Sequence, residues 1–327
     1  MPLPLLARNA DALRYDRERG LALALDWRAY PARAGMAAYP NAESIAQAIE
    51  AGAARHASAA YLAGYGLALA AREWAGRPSD ARRGALIQAG EWLKRARPDD
   101  TRLNRLIEQG LARADAATLA GEDAEETLLR LVQAEITRAD RVAERCGRIA
   151  AGLLDEADQI LTHGFAGPAL LWMLHVALAE HAKPIGLAVL MLHPDDADAR
   201  LTADLAAEIG VPARLLDSSA PEHAIEQAAP TVYIAGAERI ALDGGVGGAP
   251  GAAEYAELAR RRGLPRYVLG YDGPDPALPA FAPTSDVSPP ELISAIITSR
   301  GIYRPEMIER YLGDGEAPLD VIPLSPG

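Results

Sequence analysis

The chain has 327 residues, 50% of them apolar and 24% charged, which suffices for a large core without disulfide or metal staples and suggests two domains. Lys and Arg total 33 against 45 Asp and Glu, a formal net charge of -12, and this excludes broad, counterion-releasing attachment to nucleic acid. The single cysteine, Cys146, excludes an intrachain disulfide framework and a cysteine zinc cage, and fits a reducing compartment. The opening MPLPLLARNADALRYDRERG has too short an apolar run for a signal peptide and no basic leader. The longest apolar candidate, PALLWMLHVALAE, is interrupted by His175 and falls short of the roughly 20 residues a spanning helix needs. The expectation is a soluble cytoplasmic protein that engages neither membrane nor nucleic acid.

Taken in chain order, ALRYD, GLALALDW and GMAAYP read as a short β-meander. Asn41 is placed to cap a helix through SIAQAIEAGAARHA. ASAAYLAGYGLALAAREW is dense in Ala and Gly, which lets helices approach closely. Further helices are predicted over 82–95, 99–119 and 123–155. The second half changes character: QILTH, PIGLAVLML, PARLLD, TVYIAGAERI and PRYVLGYD read as buried strands. They alternate with helices in GPALLWMLHVALAEHAK, DARLTADLAAEIG, PEHAIEQA and AAEYAELARRRG. Strand starts recur about every 25 residues, as β-α-β units require, and the strands are nearly all apolar, as in a parallel sheet covered on both faces. Gly210 and Gly263 fall where helices should stop. The predicted fold class is α/β: residues 1–145 form a β-meander plus helical domain, and 146–327 a doubly wound sheet domain with a Pro-rich tail, EAPLDVIPLSPG.

In such sheets ligands bind beyond the carboxyl ends of the strands. There the sequence places Thr162, His163, Gly164 and Gly167; His193, Asp195 and Asp196; Asp217, Ser218 and Ser219; Glu238 and Asp243 with GGVGG; and Tyr271 with Asp272. Each has two readings. His163 is a proton shuttle or a ring that ties down a loop. Glu238 is an acid/base with a raised pKa or the partner of a neighbouring arginine. Gly244, Gly245, Gly247 and Gly248 cradle a phosphate with backbone N–H groups or form a flexible turn, and they lack the P-loop lysine and the dinucleotide spacing. Asp195, Asp196 and Asp198 open a helix, where acids complement the dipole, rather than binding metal. Arg55 and Arg97 clamp an anion or are solvated charges. Cys146 is read as inert packing.

ALRYDRERGLALALDW, ARHASAAYLAGYGLALAA, ARPDDTRLNRLI, ILTHGFAG, ARLTADLAAEIGVP, IAGAERIALDGG and DVSPPELISAIITSRGIYRP occur together in one order. In this they resemble the family of methylthioribose-1-phosphate isomerases, ribose-1,5-bisphosphate isomerases and regulatory subunits of translation initiation factor 2B. In the last segment Ser288 and Glu291 read as a capping box with Pro289 at the first helical position. The resemblance implies a Rossmann-like domain after a smaller helical one, a homodimer, and a phosphorylated small-molecule ligand bound in a cleft between the domains. It implies no cofactor and no metal. Arg55, His56, Arg97, Thr162, Gly164, Asp243, Gly244 and Gly245 are the implied ligand-binding positions, and Glu238 and His163 the catalytic ones.

The departures fall at the reacting groups. The family's isomerases use a Cys after a Thr-His pair, and Gly164 stands there. They use an Asp in a Gly-Ala-Asp segment, and Glu238 stands there, one methylene longer. Their Asn-Lys pair after the glycine turn is missing from GGVGGAPGA. Ala197 and Asp198 stand where a Gln is expected, and His56 and Ser58 replace Gly and Pro. Three expectations survive: a divergent aldose–ketose isomerase-like enzyme using Glu238, a sugar-phosphate or nucleotide binding protein without turnover, and an interaction subunit like those of initiation factor 2B.

Overall fold

Alternating side chains in Leu13–Asp16 (β1), Leu21–Leu25 (β2) and Met36–Tyr39 (β3) pair as an antiparallel meander, Leu13 opposite Ala24 and Ala22 opposite Tyr39. The structure is a computed structural model and describes residues 3–30, 32–217, 221–270, 273–282 and 286–312. Ser218, Ser219, Tyr271, Asp272 and the Pro-rich tail lie outside the described residues. The chain divides into two compact units, Arg8–Asp140 and Met1–Ala7 with Arg141–Gly327.

In the first unit the meander precedes Ala42–Glu50 (α2), His56–Glu73 (α3), Ser79–Ala96 (α4), Thr101–Ala120 (α5) and the start of Ala124–Leu153 (α6); a single turn, Asn9–Ala12 (α1), comes before β1. The Asn41 side chain accepts from Ser44 N–H, the expected cap. The helix predicted through SIAQAIEAGAARHA is instead two. Gly52 takes φ +73° and Ala53 N–H donates to the Ala48 carbonyl, a glycine C-terminal motif that ends α2 before α3 begins at His56. Buried from Ser58 to Ala71, α3 is the axis of the unit, and its small residues admit neighbours: Gly64 lies against Val132 and Leu106, and Gly66 against Leu93 and Ile45.

In the second unit, Gln159–His163 (β4), Gly186–Met191 (β5), Ala213–Asp217 (β6), Val232–Gly236 (β7), Arg266–Leu269 (β10), Ala295–Thr298 (β12) and Gly301–Tyr303 (β13) form a seven-stranded sheet in the order β13-β12-β10-β7-β4-β5-β6. All pairs are parallel except β12 with β13. The helices are Pro168–His175 (α7), Ala197–Ile209 (α8), Pro221–Ala228 (α9) and Ala252–Arg261 (α10), and the small strands Arg239–Ile240 (β8), Val246–Gly247 (β9) and Val287–Ser288 (β11) make a second sheet. Side chains alternate across β4. Leu161 joins Tyr233, Tyr255 and Ala256 in the core beneath α9 and α10, so Thr162 points to the opposite face and His163 to the same one. Gly210 closes α8 at φ +93°, as expected.

Two expectations fail locally. α7 is regular only to His175 and continues as one π turn, Val176–Glu180. The Ser288–Glu291 capping box does not form: Ser288 ends β11, and Pro290–Leu292 is a single 3-10 turn without a side-chain cap. Ser294 N–H already donates to the Arg266 carbonyl, and the β-branched run Ile296-Ile297-Thr298 enters the sheet beside β10. Buried sheet pairing thereby overrides the local helix signal.

Candidate functional site

The sheet reverses its winding between β4 and β7: β5 and β6 follow on one side of β4, and β7, β10 and β12 on the other. In open sheets of this kind ligands bind at such a switch point, which here falls at the carboxyl ends of β4 and β7. The register Leu161 to Tyr233 sets Gly164 level with Gly236. The two strand ends approach closely, since a Cβ at Gly236 would lie 2.7 Å from Cα and O of Ala166. On one side stand Thr162, His163 and Gly164, and on the other Glu238. The carboxyl end of β5 adjoins that of β4, since the Asp196 charge acts on the His163 ring and the Thr202 hydroxyl donates to the Gly164 carbonyl, while Asp217 ends β6 at the sheet edge.

Thr162 is fully buried and its hydroxyl has no hydrogen-bond partner, a costly arrangement for a polar group. His163 is also buried. Its Nδ1 is 3.0 Å from the Tyr233 hydroxyl, and its ring centroid is 5.1 Å from that of Tyr255. Burial lowers its pKa to about 4, against smaller upward effects of the Ala249 backbone and the Asp196 charge. The ring is therefore neutral at neutral pH. Burial keeps the Tyr233 phenol protonated, so its O–H donates to Nδ1, and Nε2 carries the ring proton.

This has a measurable consequence. The ordinary histidine value is 6.5 and the folded value about 4, so between them the unfolded chain binds a proton that the folded chain refuses. The contribution of His163 is present above about pH 6.5 and is lost as pH falls towards 4, by at most about 1.4 kcal/mol per pH unit and roughly 3 kcal/mol in all. Denaturation midpoints at pH 7.5 and pH 5 should differ more for the wild type than for His163→Gln. Equal differences would count against a buried neutral ring.

Gly164 is buried at φ +55°, and a Cβ there would sit 3.3 Å from the Ala249 Cβ. Its carbonyl accepts from the Thr202 hydroxyl at 2.7 Å. Position 164 thus lies against GGVGGAPGA, and the backbone conformation disfavours any side chain there.

Glu238 is exposed, and its N–H donates to the Gly247 carbonyl at 2.9 Å. Asp243 is exposed too, and its Oδ1 accepts from Gly245 N–H at 2.8 Å. Gly244 N–H donates to the Ala241 carbonyl and Gly248 N–H to that of Asp286. Gly244, at φ +90°, lies against Pro305, while Gly245 and Gly247 lie against the Phe281 ring. These N–H groups are thus engaged within the protein. Asp196 caps α8, accepting from Leu192, Asp198 and Ala199 N–H, as acids at a helix start should. Cys146 is buried, with Sγ 3.2 Å from the Ile297 carbonyl. Among the described residues no group of three or more His, Cys, Asp and Glu could hold a metal ion, and no helix is long and apolar enough to cross a membrane.

Within the helical unit, Gly64 packs on Leu106 and Leu67 on Gly110, so α3 and α5 run the same way. Arg55, the N-cap residue of α3, and Arg97, just before the Asp100 cap of α5, therefore share one end of that unit. Two helix N-termini and two half-buried guanidinium groups favour an anion there. Arg97 Nε is 3.9 Å from an Asp100 carboxylate oxygen. His56 adopts φ +50° and its ring lies 5.4 Å from that of Trp27. Left-handed backbone explains why glycine suits this position and implies about 1–2 kcal/mol of strain for histidine. Sequence reading missed Tyr233, Tyr255, Thr202 and Ala249 as neighbours of the β4 end. Only Tyr233, a hydroxyl in an otherwise apolar strand, carried any signal.

The model of the initiation factor 2 subunit family matches residues 52–272. The methylthioribose-1-phosphate isomerase of Chloroflexus aurantiacus is 30% identical to this chain over 281 residues, 74% of this chain and 81% of that protein. That of Gemmatimonas aurantiaca is 29% identical and covers 93% of this chain and 97% of its own. Among solved structures, translation initiation factor eIF-2B subunit delta from A. fulgidus superposes with a TM-score of 0.71 at 24% identity, over 90% of this chain and 96% of that one. The 5-methylthioribose 1-phosphate isomerase from Pyrococcus horikoshii OT3 does so at 0.71 and 24%, over 92% and 94%. The matched residues include both arginines, the β4 end and Glu238, and the chain belongs to the initiation factor 2 subunit family.

Proposed function

We propose that this chain is a divergent aldose–ketose isomerase-like enzyme acting on a phosphorylated pentose or a related metabolite, with Glu238 as the acid/base in place of the family's Cys-assisted chemistry. The observation that carries the reading is the switch point, with Glu238 after β7 level with the loop that follows His163 and Gly164 on β4. The 30% identity to a methylthioribose-1-phosphate isomerase supports the substrate class. A carboxylate can carry the proton from C2 of the sugar to C1 while the C1–ring-oxygen bond breaks and the 2-hydroxyl proton passes to the freed ring oxygen, so that a carbonyl forms at C2 and the proton count is unchanged. Arg55 and Arg97, at one end of the helical unit, carry the charge that a phosphate needs; Thr162 and Gly164 are enclosed and the Gly244 and Gly245 N–H groups are already bonded within the protein, so these four do not join the proposed binding set. A cytoplasmic homodimer belongs to the same reading.

One observation favours a second reading, a sugar-phosphate or nucleotide binding protein without turnover. Gly164 is left-handed and closed off by Ala249, so no thiol chemistry is available at that position. The deciding experiment incubates the full chain with methylthioribose 1-phosphate, ribose 1,5-bisphosphate and other pentose phosphates and follows ketose formation. A thermal shift on the same panel with no ketose would select the binding reading, and neither signal would sink both. In either case Arg97→Ala should weaken sugar-phosphate binding by about 10- to 100-fold through loss of a charge-assisted contact. Calorimetric titration of the variant checks this, and unchanged affinity would remove Arg97 from the site.

A further inference from the structure

We infer that His163 is a positioning residue, a neutral strut that docks the glycine turn, residues 244–251, onto the carboxyl end of β4 and thereby fixes the backbone of Glu238. The inference rests on the proposed role of Glu238 only in what the turn positions; the strut itself rests on the contacts of the ring.

Three elements converge on that ring. β7 supplies Tyr233, whose hydroxyl is 3.0 Å from Nδ1. α10 supplies Tyr255, its ring tilted 58° against the imidazole at 5.1 Å. The glycine turn supplies Ala249, whose backbone lies near enough to favour the protonated ring, while Nε2 makes no hydrogen bond. The next residue, Gly164, brings β4 against the same alanine, with 3.3 Å from its Cβ position to the Ala249 Cβ. Gly248 packs beside the Gly236 carbonyl, with 3.3 Å from its Cβ position. The turn is thus pressed against the ends of both strands that flank the switch point.

From the turn the constraint passes to Glu238. Gly247, two residues before Ala249, pairs with Arg239 across the β8–β9 ladder, and its carbonyl accepts from Glu238 N–H. A shift of the turn therefore moves the main chain that aims the Glu238 carboxylate. A fully enclosed, neutral imidazole is a poor proton carrier at neutral pH. It is well suited to this geometric role, because Nδ1 accepts from Tyr233 on β7 while the ring packs on Tyr255 of α10.

The test uses the full chain. In wild-type protein labelled with 15N-histidine, His163 should show the Nε2–H tautomer and no titration from pH 8 to 5. A ring that titrates near 6.5, or carries its proton on Nδ1, overturns the proposal. Hydrogen exchange of residues 244–256 should be about tenfold or more faster in His163→Ala. It should be partly restored in His163→Gln, whose amide can still accept from Tyr233, and moderately faster in Tyr233→Phe, which deletes only the hydroxyl. Exchange in α3 should be unchanged in all three. Unchanged exchange in 244–256 in Tyr233→Phe and His163→Ala overturns the strut. Should Glu238→Gln leave turnover intact while the turn loosens in the His163 variants, the acid/base reading falls and the strut stands.

Discussion

Glu238→Gln is expected to lower turnover of a pentose phosphate by about 10²- to 10⁴-fold, the span typical for loss of a positioned acid or base. The amide keeps the size and hydrogen-bonding length of the side chain but can neither take nor return a proton. Because the side chain is exposed, the thermal midpoint should move little, so a loss of rate would report chemistry rather than unfolding. The diagnostic pattern is a fall in kcat with little change in KM, as for an interaction made only in the transition state. Unchanged kcat in the variant would remove Glu238 from the reaction and leave the binding reading in possession of the site.

The second large effect is on stability. Gly236→Ala should destabilise the second unit by about 1–3 kcal/mol or more, the range for overpacking. Gly-to-Ala replacement usually gains about 0.4–1 kcal/mol by restricting the unfolded chain, so the sign depends on contacts. At Gly236 the new methyl would meet Cα, O and C of Ala166 at 2.7, 2.7 and 2.9 Å, and backbone cannot rotate away as a side chain could. Relief requires the loop after β4 to retreat from β7. Gly152→Ala is the internal control. Gly152 is in α6 and exposed, with nothing within 4 Å of its Cβ position, and there alanine should stabilise by roughly 0.5–1 kcal/mol. Denaturant midpoints that move the same way in both variants would show that the close approach of β4 and β7 is not limiting.

The pattern of legibility follows from how far apart in sequence the causes of each feature lie. β4 is where apolar QIL meets Thr-His, and the strand runs from Gln159 to His163 as read. β1 to β3, α8 and α10 are likewise local, since each declares itself by periodicity, a cap or a terminal glycine. The error at Ser288 has the opposite origin. Ser-Pro-Pro-Glu is a helix start by every local rule, yet Ile296 and Ile297 are fully buried in the sheet, and strand pairing with residues some 28 positions earlier prevailed. The split of the predicted helix at Gly52 is intermediate, a short-range signal present in the residues but outweighed by the apolar pattern on either side of it.

For the site, the sequence alone determined which groups are present: a carboxylate at 238, a histidine at 163, no thiol at 164, and arginines at 55 and 97. Those are facts of composition at a position, and the family pattern makes their order legible. Only the tertiary structure decided what each group experiences. It enclosed His163 between two tyrosines, left Glu238 exposed, set Gly164 against Ala249, and committed the glycine N–H groups to internal partners. The physical reason is that burial, pKa and hydrogen-bond saturation depend on neighbours brought together by parallel strand crossovers tens of residues long, and no local window of sequence contains them.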